Sequence, residues 1–465
     1  MSILIPANSA VGGGDFVTNG VRFNTQSSTE YMQRTMTNNG NLQAWTVSVW
    51  VKRAVISDGQ HMLFASYNDS NNSTECFFEG NDTLNFRDLE SGYFLFQKKT
   101  TQKFRDPSAW YHLVMSSSSG TQRIYVNGVE VTAWDTNTNG SGTSTWNNDK
   151  SHSIGANVNG SSDKAGLYMS EFTSIDGQTL TATSFGEFNE DSGVWQPKEV
   201  TELTFGTNGF YLPFSNSSAL GEDFSGNDLD FALNNMDATN QTTDTCQNNF
   251  ATFNPLFTPN PSNVSTFTEG NLKVVTNSTS QNSDGLSTIG VSSGKWYGEF
   301  KLTAEATGES LCGIKNNIEN PTTNGLHGTG GFSVASNGDS FNNGSSQGAG
   351  NFSASYTTND IIGIALDLDN NRVYFSKNGS YTDGSGNFDE SSPTGYFSVT
   401  SGQTYFMGVG DKSTSQSSTW EANYGSPFFA ISSGNADGNG YGNFEYAVPS
   451  GYLALNTKNL SKVDS

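Results

Sequence analysis

Cysteine, basic residues and long apolar runs are all scarce in this chain, and each scarcity removes a class of function. The three cysteines, Cys76, Cys246 and Cys312, lie far apart, with no Cys-x-x-Cys pair and no histidine at ligand spacing, so neither a disulfide framework nor a zinc site is encoded. Lys and Arg number 22 against 45 Asp and Glu, for a net charge of −23. Such a surface repels a phosphate backbone and an anionic lipid face, which excludes nucleic acid and bare membrane as ligands. The charges are scattered and form no acidic or basic tail. No stretch is apolar enough for membrane insertion, and the opening Met1-Ser-Ile-Leu-Ile-Pro lacks the basic and apolar regions of a signal peptide. The expectation is synthesis in a cytosol without an export signal.

What the chain does contain is aromatic and turn-forming text. The apolar share is 33%, yet 32 Phe help raise the aromatic share to 12%, and 51 Gly accompany abundant Asn, Ser and Thr. These are residues of turns and of the polar face of a sheet, so the composition is all-β. A length of 465 residues allows two or three domains.

In Val47-Ser-Val-Trp-Val-Lys-Arg53, Val47, Val49 and Val51 fall on one face and Ser48, Trp50 and Lys52 on the other, which predicts a strand with one buried face. Trp110-Tyr-His-Leu-Val-Met115 is followed by Arg123-Ile-Tyr-Val126, Asn127-Gly128 and Val129-Glu-Val-Thr132. Asn-Gly between alternating runs signals a hairpin, because both turn residues need positive φ. In the second half, Trp296, Phe300 and Leu302 lie opposite Lys295, Glu299 and Lys301. Ile362, Ile364, Leu366 and Leu368 share a core face, Gly363 and Ala365 imply close packing behind it, and a turn follows at Asn378-Gly379. From Asn240 to Asn263 the periodicity lapses, and Pro255, Pro259 and Pro261 interrupt any ladder. Domains over 1–239 and 264–465, joined by a Pro/Asn-rich linker at 240–263, are therefore expected.

Trp45-Thr-Val-Ser-Val-Trp-Val-Lys-Arg53, Trp110-Tyr-His-Leu-Val114 and Arg123-Ile-Tyr-Val-Asn-Gly-Val-Glu-Val131 resemble the ordered core strands of laminin-G-like, concanavalin A-like lectin domains. Tyr168-Met-Ser-Glu-Phe172 and Gly209-Phe-Tyr-Leu-Pro-Phe214 resemble the closing strands of that family. Gly294-Lys-Trp-Tyr-Gly-Glu-Phe300, Asp360-Ile-Ile-Gly-Ile-Ala-Leu-Asp367, Val373-Tyr-Phe-Ser-Lys-Asn-Gly379 and Asn423-Tyr-Gly-Ser-Pro-Phe428 are similar to a SPRY domain. A Gly/Asn-rich insertion, Ser432 to Asn443, departs from that pattern and leaves the domain's end open. The combination, with Leu220-Gly-Glu-Asp-Phe-Ser-Gly-Asn227 and Pro449-Ser-Gly-Tyr-Leu-Ala-Leu-Asn456, resembles virion proteins of tailed bacteriophages.

The resemblances imply an all-β chain of two consecutive antiparallel β-sandwiches, a jelly-roll laminin-G/concanavalin-like one and then a SPRY-like one. They imply a virion surface protein of tail-fibre or appendage type that binds host-surface glycan or protein without catalysis. Its partners would be other virion proteins and further copies of itself, a trimer by analogy with fibres. Assembly in the host cytoplasm would account for the missing signal peptide. The rival is a capsid-decoration or tail-scaffold role, and a weaker alternative is a glycan depolymerase.

Chemistry motifs are thin. Glycan hydrolases of the lectin-like fold carry Glu-x-Asp on one strand, and no Glu here has Asp two positions on. Gly290-Val-Ser-Ser-Gly294 and Gly344-Ser-Ser-Gln-Gly348 read as turns rather than nucleophile elbows. A calcium loop opened at Asp367 would put Arg372 where Gly is needed and Asn378 where the bidentate Glu belongs. His112 reads as a half-buried strand residue, and His61, His152 and His327 occupy polar loop text.

Sugar recognition combines an aromatic face with Asn or Asp groups, with Ca2+ as an optional loop holder and no cofactor required. Two loops of the first half offer that mixture, Tyr67-Asn68-Asp69 and the stretch holding Trp134, Trp146, Asn147 and Asp149. The alternative for both is an ordinary sandwich-end loop whose aromatic packs back on the core. For the second half, the SPRY resemblance implies binding on loops at one end, with Asn316, Asn317, His327, Phe341 and Asn342 as candidates.

Overall fold

The computed structural model describes residues 16–24, 30–157, 163, 165–257, 264–277, 283–307, 309–316, 325–348, 355–381, 395–413 and 415–463. It divides into two compact units between Asn249 and Phe250. Both are built from antiparallel sheets apart from one parallel pair, Leu453–Ala454 against Lys295–Ala304, and among the described residues the only α-helix is Thr457–Val463.

In the first unit two eight-stranded sheets enclose the core. The Trp45–Arg53 strand lies centrally in one sheet, between Trp110–Ser118 and Leu167–Asp176. Val47, Val49 and Val51 meet Leu113, Met115 and Phe172 of their own sheet, and Phe64, Cys76 and Phe86 of the other. The prediction of one buried face is corrected here, since all nine residues of this strand are buried. Behind it Trp50 belongs to a second apolar layer with Trp110, Tyr168, Phe185, Trp195 and Phe205, formed where the chain after Asp176 folds back over the sheet. The predicted hairpin forms, with φ of 48° at Asn127 and 84° at Gly128 and Val129 opposite Val126.

The expected 240–263 linker is also corrected. Gln241 and Thr242 pair with Val21 and Gly20, and Cys246 is buried in the second apolar layer. Side chains do the work that a ladder does elsewhere. Gln247 Oε1 accepts from the Phe16 and Val17 amides, and Asn240 Nδ2 donates to the Arg22 carbonyl. Ordered polar text of this kind has no periodicity to read, because its backbone groups are satisfied by amide side chains. Ala251 and Phe253 are already core residues of the second unit; Pro259 and Pro261 lie outside the described residues.

The second unit pairs a nine-stranded with a six-stranded sheet. Lys295–Ala304 lies between Ile361–Asp367 and Thr419–Asn423. Trp296, Phe300, Leu302, Ile362, Ile364 and Leu366 form its core with Cys312, Ile314 and Val409. Close packing behind Gly363 is confirmed, as a Cβ there would sit 2.4 Å from Ser376 Oγ. Tyr297, Ala365 and Tyr374 are covered by Phe444, Tyr452 and Ala454.

Glu299, placed opposite the core in the sequence pattern, is buried under that cover. It accepts from the backbone amides of Glu445 at 2.9 Å and Tyr446 at 2.8 Å, and from Tyr297 Oη at 3.0 Å. The Ser432 to Asn443 insertion is ordered as well: Asn435 bridges Phe444, and Asp437 accepts from Asn439, Tyr441 and Ala454 amides.

Glu171 in the first unit is buried with only Tyr211 Oη, 2.6 Å away, as its hydrogen-bond donor among the described contacts. Burial pushes this carboxyl up to about 7, against the opposing pull of the Tyr211 bond. A folded-state value above the unfolded one of about 4.3 means that the native state holds the extra proton, so this group's contribution falls as pH rises from about 4.5 to 7. Glu171→Gln, which keeps an acceptor and cannot ionise, should match wild type at pH 4.5 and exceed it by about 1 to 3 kcal/mol at pH 8 in chemical denaturation. A stability difference independent of pH would contradict this assignment.

Candidate functional site

Two adjacent turns form the tip of one sheet in the first unit. The His61–Asp69 and Asn72–Phe78 strands are joined by a turn whose Asp69 carboxylate accepts from the Asn71 amide at 2.8 Å and Asn72 Nδ2 at 2.9 Å. Those bonds hold the exposed carboxyl below the usual range, so it is charged at neutral pH. The neighbouring Thr83–Glu90 and Tyr93–Lys103 strands turn through Ser91 and Gly92, at φ of 55° and 80°, the geometry of a tight two-residue hairpin. The turns are tied together: Gly92 N donates to Asn71 O, and Ser91 N to Asn72 Oδ1.

This arrangement leaves Tyr93 81% exposed and Phe94 51% exposed directly after the turn that bonds to Asn71 and Asn72. Arg87 lies 5.8 Å from the Phe94 ring and 4.8 Å from Phe77, and its guanidinium pairs with Glu75 at 2.6 Å. The two tied turns thus carry exposed aromatics on one hairpin and amides with a charged carboxylate on the other. The sequence reading missed Tyr93 and Phe94, although Ser-Gly between two strand-like runs, with aromatics directly after it, was a usable signal.

Of the predicted residues, Asn68 and Asp69 stand at this tip, with Tyr67 half-buried behind them against Met62, Ala65 and Phe77. Trp146 is corrected to a core residue. It is fully buried, its Nε1 donates to Ser174 Oγ at 3.1 Å, and its ring packs 4.7 Å from Phe64. Asn147 is buried beside it, donating through Nδ2 to Asp176 Oδ1 at 3.0 Å, while Asp149 is exposed and pairs with Lys150 at 3.0 Å. Trp134 pairs across from Thr100, seven residues along the strand from Tyr93 and so roughly 20 Å from the tip. It is half-buried against the core, with Lys98 Nζ 5.3 Å from its ring.

In the second unit Asn316 and Asn342 come to one end of the six-stranded sheet on either side of Gly330, whose carbonyl accepts from the Asn316 amide. His327 stands edge-on to Phe341 at 5.9 Å, and Lys412 Nζ lies 5.3 Å from the Phe341 ring. Phe341 itself is buried among Leu286, Leu311 and Leu326. Burial, then the charges of Lys412 and Lys315, lower the His327 pKa, so the ring is neutral at pH 7. Asn317 lies outside the described residues.

One constellation resembles a nucleophile and base. Ser48 Oγ is 2.8 Å from His112 Nε2, but both residues are buried, with His112 fully rather than half covered. Trp195 Nε1 donates to His112 Nδ1 at 2.9 Å, which leaves the ring's proton on Nε2, donating to Ser48. Burial holds the imidazole neutral, with its pKa lowered to about 3. A ring that donates to the hydroxyl cannot take its proton, so the pair is structural. His61 and His152 are likewise buried strand residues rather than loop ones. Among the described residues no three His, Cys, Asp or Glu side chains gather as metal ligands.

Residues 25–184 match the laminin-G-type family model described as the Concanavalin A-like lectin/glucanases superfamily. A search of curated proteins finds no match. Among solved structures the chain is similar to the SPRY domain of human HERC1, at 18% identity over 37% of this chain and 96% of that one, TM-score 0.26. It is similar also to domains LG4-5 of the mouse laminin alpha1 chain, at 8% identity over 97% of this chain and 91% of that one, TM-score 0.31. A heptameric SAP-like pentraxin from Limulus polyphemus shows 15% identity over 37% of this chain and 80% of that one, TM-score 0.26. Residues 25–184 are thus similar to a lectin-type sandwich, and both units are built as β-sandwiches.

Asp176 fixes the loops at one end of the first sandwich. It accepts from the amides of Asn41, Thr207 and Asn208 and from Asn147 Nδ2. Asp176→Ala strands these donors and should lower the first unit's unfolding free energy by about 2 to 4 kcal/mol in chemical denaturation; a loss below about 0.5 kcal/mol would remove it from this role.

Proposed function

We propose that the chain is a non-catalytic carbohydrate-binding protein, displayed on the surface of a tailed-bacteriophage particle and directed at host-surface glycan. The observation that carries this reading is the exposure of Tyr93 and Phe94 directly after a turn that is bonded to Asn71 and Asn72 of the neighbouring turn. A ring face takes the C–H surface of a sugar, and amides and a carboxylate take its hydroxyls. The setting on a virion, with other virion proteins and further copies of this chain as partners, rests on the sequence resemblance. Many copies on a particle would make a weak site sufficient. The proposed mode of binding uses no cofactor.

Two findings favour adhesion over a purely architectural role. One outer sheet face in each unit is covered by segments of the same unit, which turns contact toward the loop tips. The tip also carries exposed aromatic surface with polar neighbours rather than a broad apolar patch.

Binding of the full chain to host-derived polysaccharide tests the reading. Tyr93→Ala with Phe94→Ala should weaken it about tenfold or more, by the ~1 kcal/mol each that stacking contributes, without unfolding the protein. EDTA should leave binding unchanged. Binding that survives the double substitution would move the site elsewhere, and release of reducing ends from the polysaccharide would overturn the non-catalytic reading.

A further inference from the structure

We propose that Lys52 and Asn249 become joined by a side-chain amide bond that the folded first unit makes for itself, with Asp244 as the proton carrier. Lys52 is on the central Trp45–Arg53 strand, and Asn249 is the last residue of the unit. The Lys52 Nζ lies 2.8 Å from Asn249 Oδ1 and 2.7 Å from Asp244 Oδ2, and all three residues are 1% exposed. Asn249 Nδ2 donates to the Ser108 carbonyl, which turns the carboxamide so that its oxygen faces the amine. Trp110 Nε1 holds the second Asp244 oxygen at 3.2 Å. Tyr168 closes over the amine, its ring centre 5.4 Å from Nζ.

A buried ion pair needs only Lys52 and Asp244. The third group, a carboxamide fixed with its carbonyl on the amine, adds an electrophile one covalent bond beyond the hydrogen bond. Fixing amine, carbonyl and acid together in a water-excluded site replaces a very slow encounter by an effectively unimolecular one, with effective molarities of about 10⁵ M or more. A carboxylate touching the amine is the group such a step requires.

The atoms balance without oxidant, reductant or water. The Lys52 ammonium passes a proton to Asp244, and the neutral Nζ attacks Asn249 Cγ, pushing the C=O electron pair onto Oδ1. Asp244 delivers its proton to Nδ2, the carbonyl re-forms, and the Cγ–Nδ2 bond breaks. Ammonia leaves and takes the second proton from Nζ, so that ammonium and a secondary amide are the products. The cross-link would tie the chain at the unit's boundary to the middle of its sheet, so that tension entering there bypasses the two-residue Gln241–Thr242 pairing.

Mass spectrometry of the full-length protein decides the matter. The intact wild-type chain should be lighter than its sequence by the mass of one ammonia, and digestion should release one branched peptide containing both Lys52 and Asn249. Lys52→Arg and Asn249→Ala should each restore the full sequence mass. Asp244→Ala, checked for folding by circular dichroism, should also show the full mass. Wild-type protein of full mass, or an ammonia loss with Lys52 and Asn249 recovered in separate peptides, overturns the proposal. A branched peptide in Asp244→Ala overturns the role given to Asp244.

Discussion

Buried carboxylates acting as hydrogen-bond acceptors are the constraint on which this architecture depends. A sandwich with long connections must find partners for backbone amides that no ladder reaches. Here single acidic side chains supply them. Asp176 gathers the Asn41, Thr207 and Asn208 amides, Asp223 those of Tyr211, Ser225 and Leu229, and Asp437 those of Asn439, Tyr441 and Ala454. Asp82 does the same with a charge partner, accepting from Arg53, Arg105 and the Ser57 amide. The excess of acidic residues in this chain is therefore partly structural, and those residues are unavailable for ligand or metal chemistry.

The clamps also determine where contact with other molecules can occur. With Glu299 holding the Glu445 and Tyr446 amides, the aromatic back of the nine-stranded sheet is closed by the chain's own last segment. In the first unit the segment after Asp176 covers Trp50 and Trp110 in the same way. Among the described residues Tyr93 and Phe94 stay exposed, and the bonds from the Ser91–Gly92 turn to Asn71 and Asn72 order the backbone directly before them. Preorganisation of that kind lowers the entropic cost of binding.

The sequence made the core faces legible because alternation is local: Val47, Val49, Val51 and Ile362, Ile364, Leu366 needed no knowledge of their partners. It hid the second layer because polar residues behind those strands looked solvent-facing. Ser48 and Lys52 are buried only because His112 and Asp244 meet them from 64 and 192 residues away. The segment taken for a linker failed for a related reason, since side-chain amides such as Gln247 and Asn240 order it without leaving a period.

The proposed site was half visible. Asn68 and Asp69 could be picked from composition, but Trp146 in equally polar text turns inward on Phe64 and Ser174, which no local pattern records. Amide hydrogen exchange of the full chain, with and without host polysaccharide, tests the central claim most directly. Ligand-dependent protection confined to the turns holding Asn68 to Asn72 and Ser91 to Phe94 is the predicted result, and protection that leaves those turns unchanged while appearing elsewhere would contradict it.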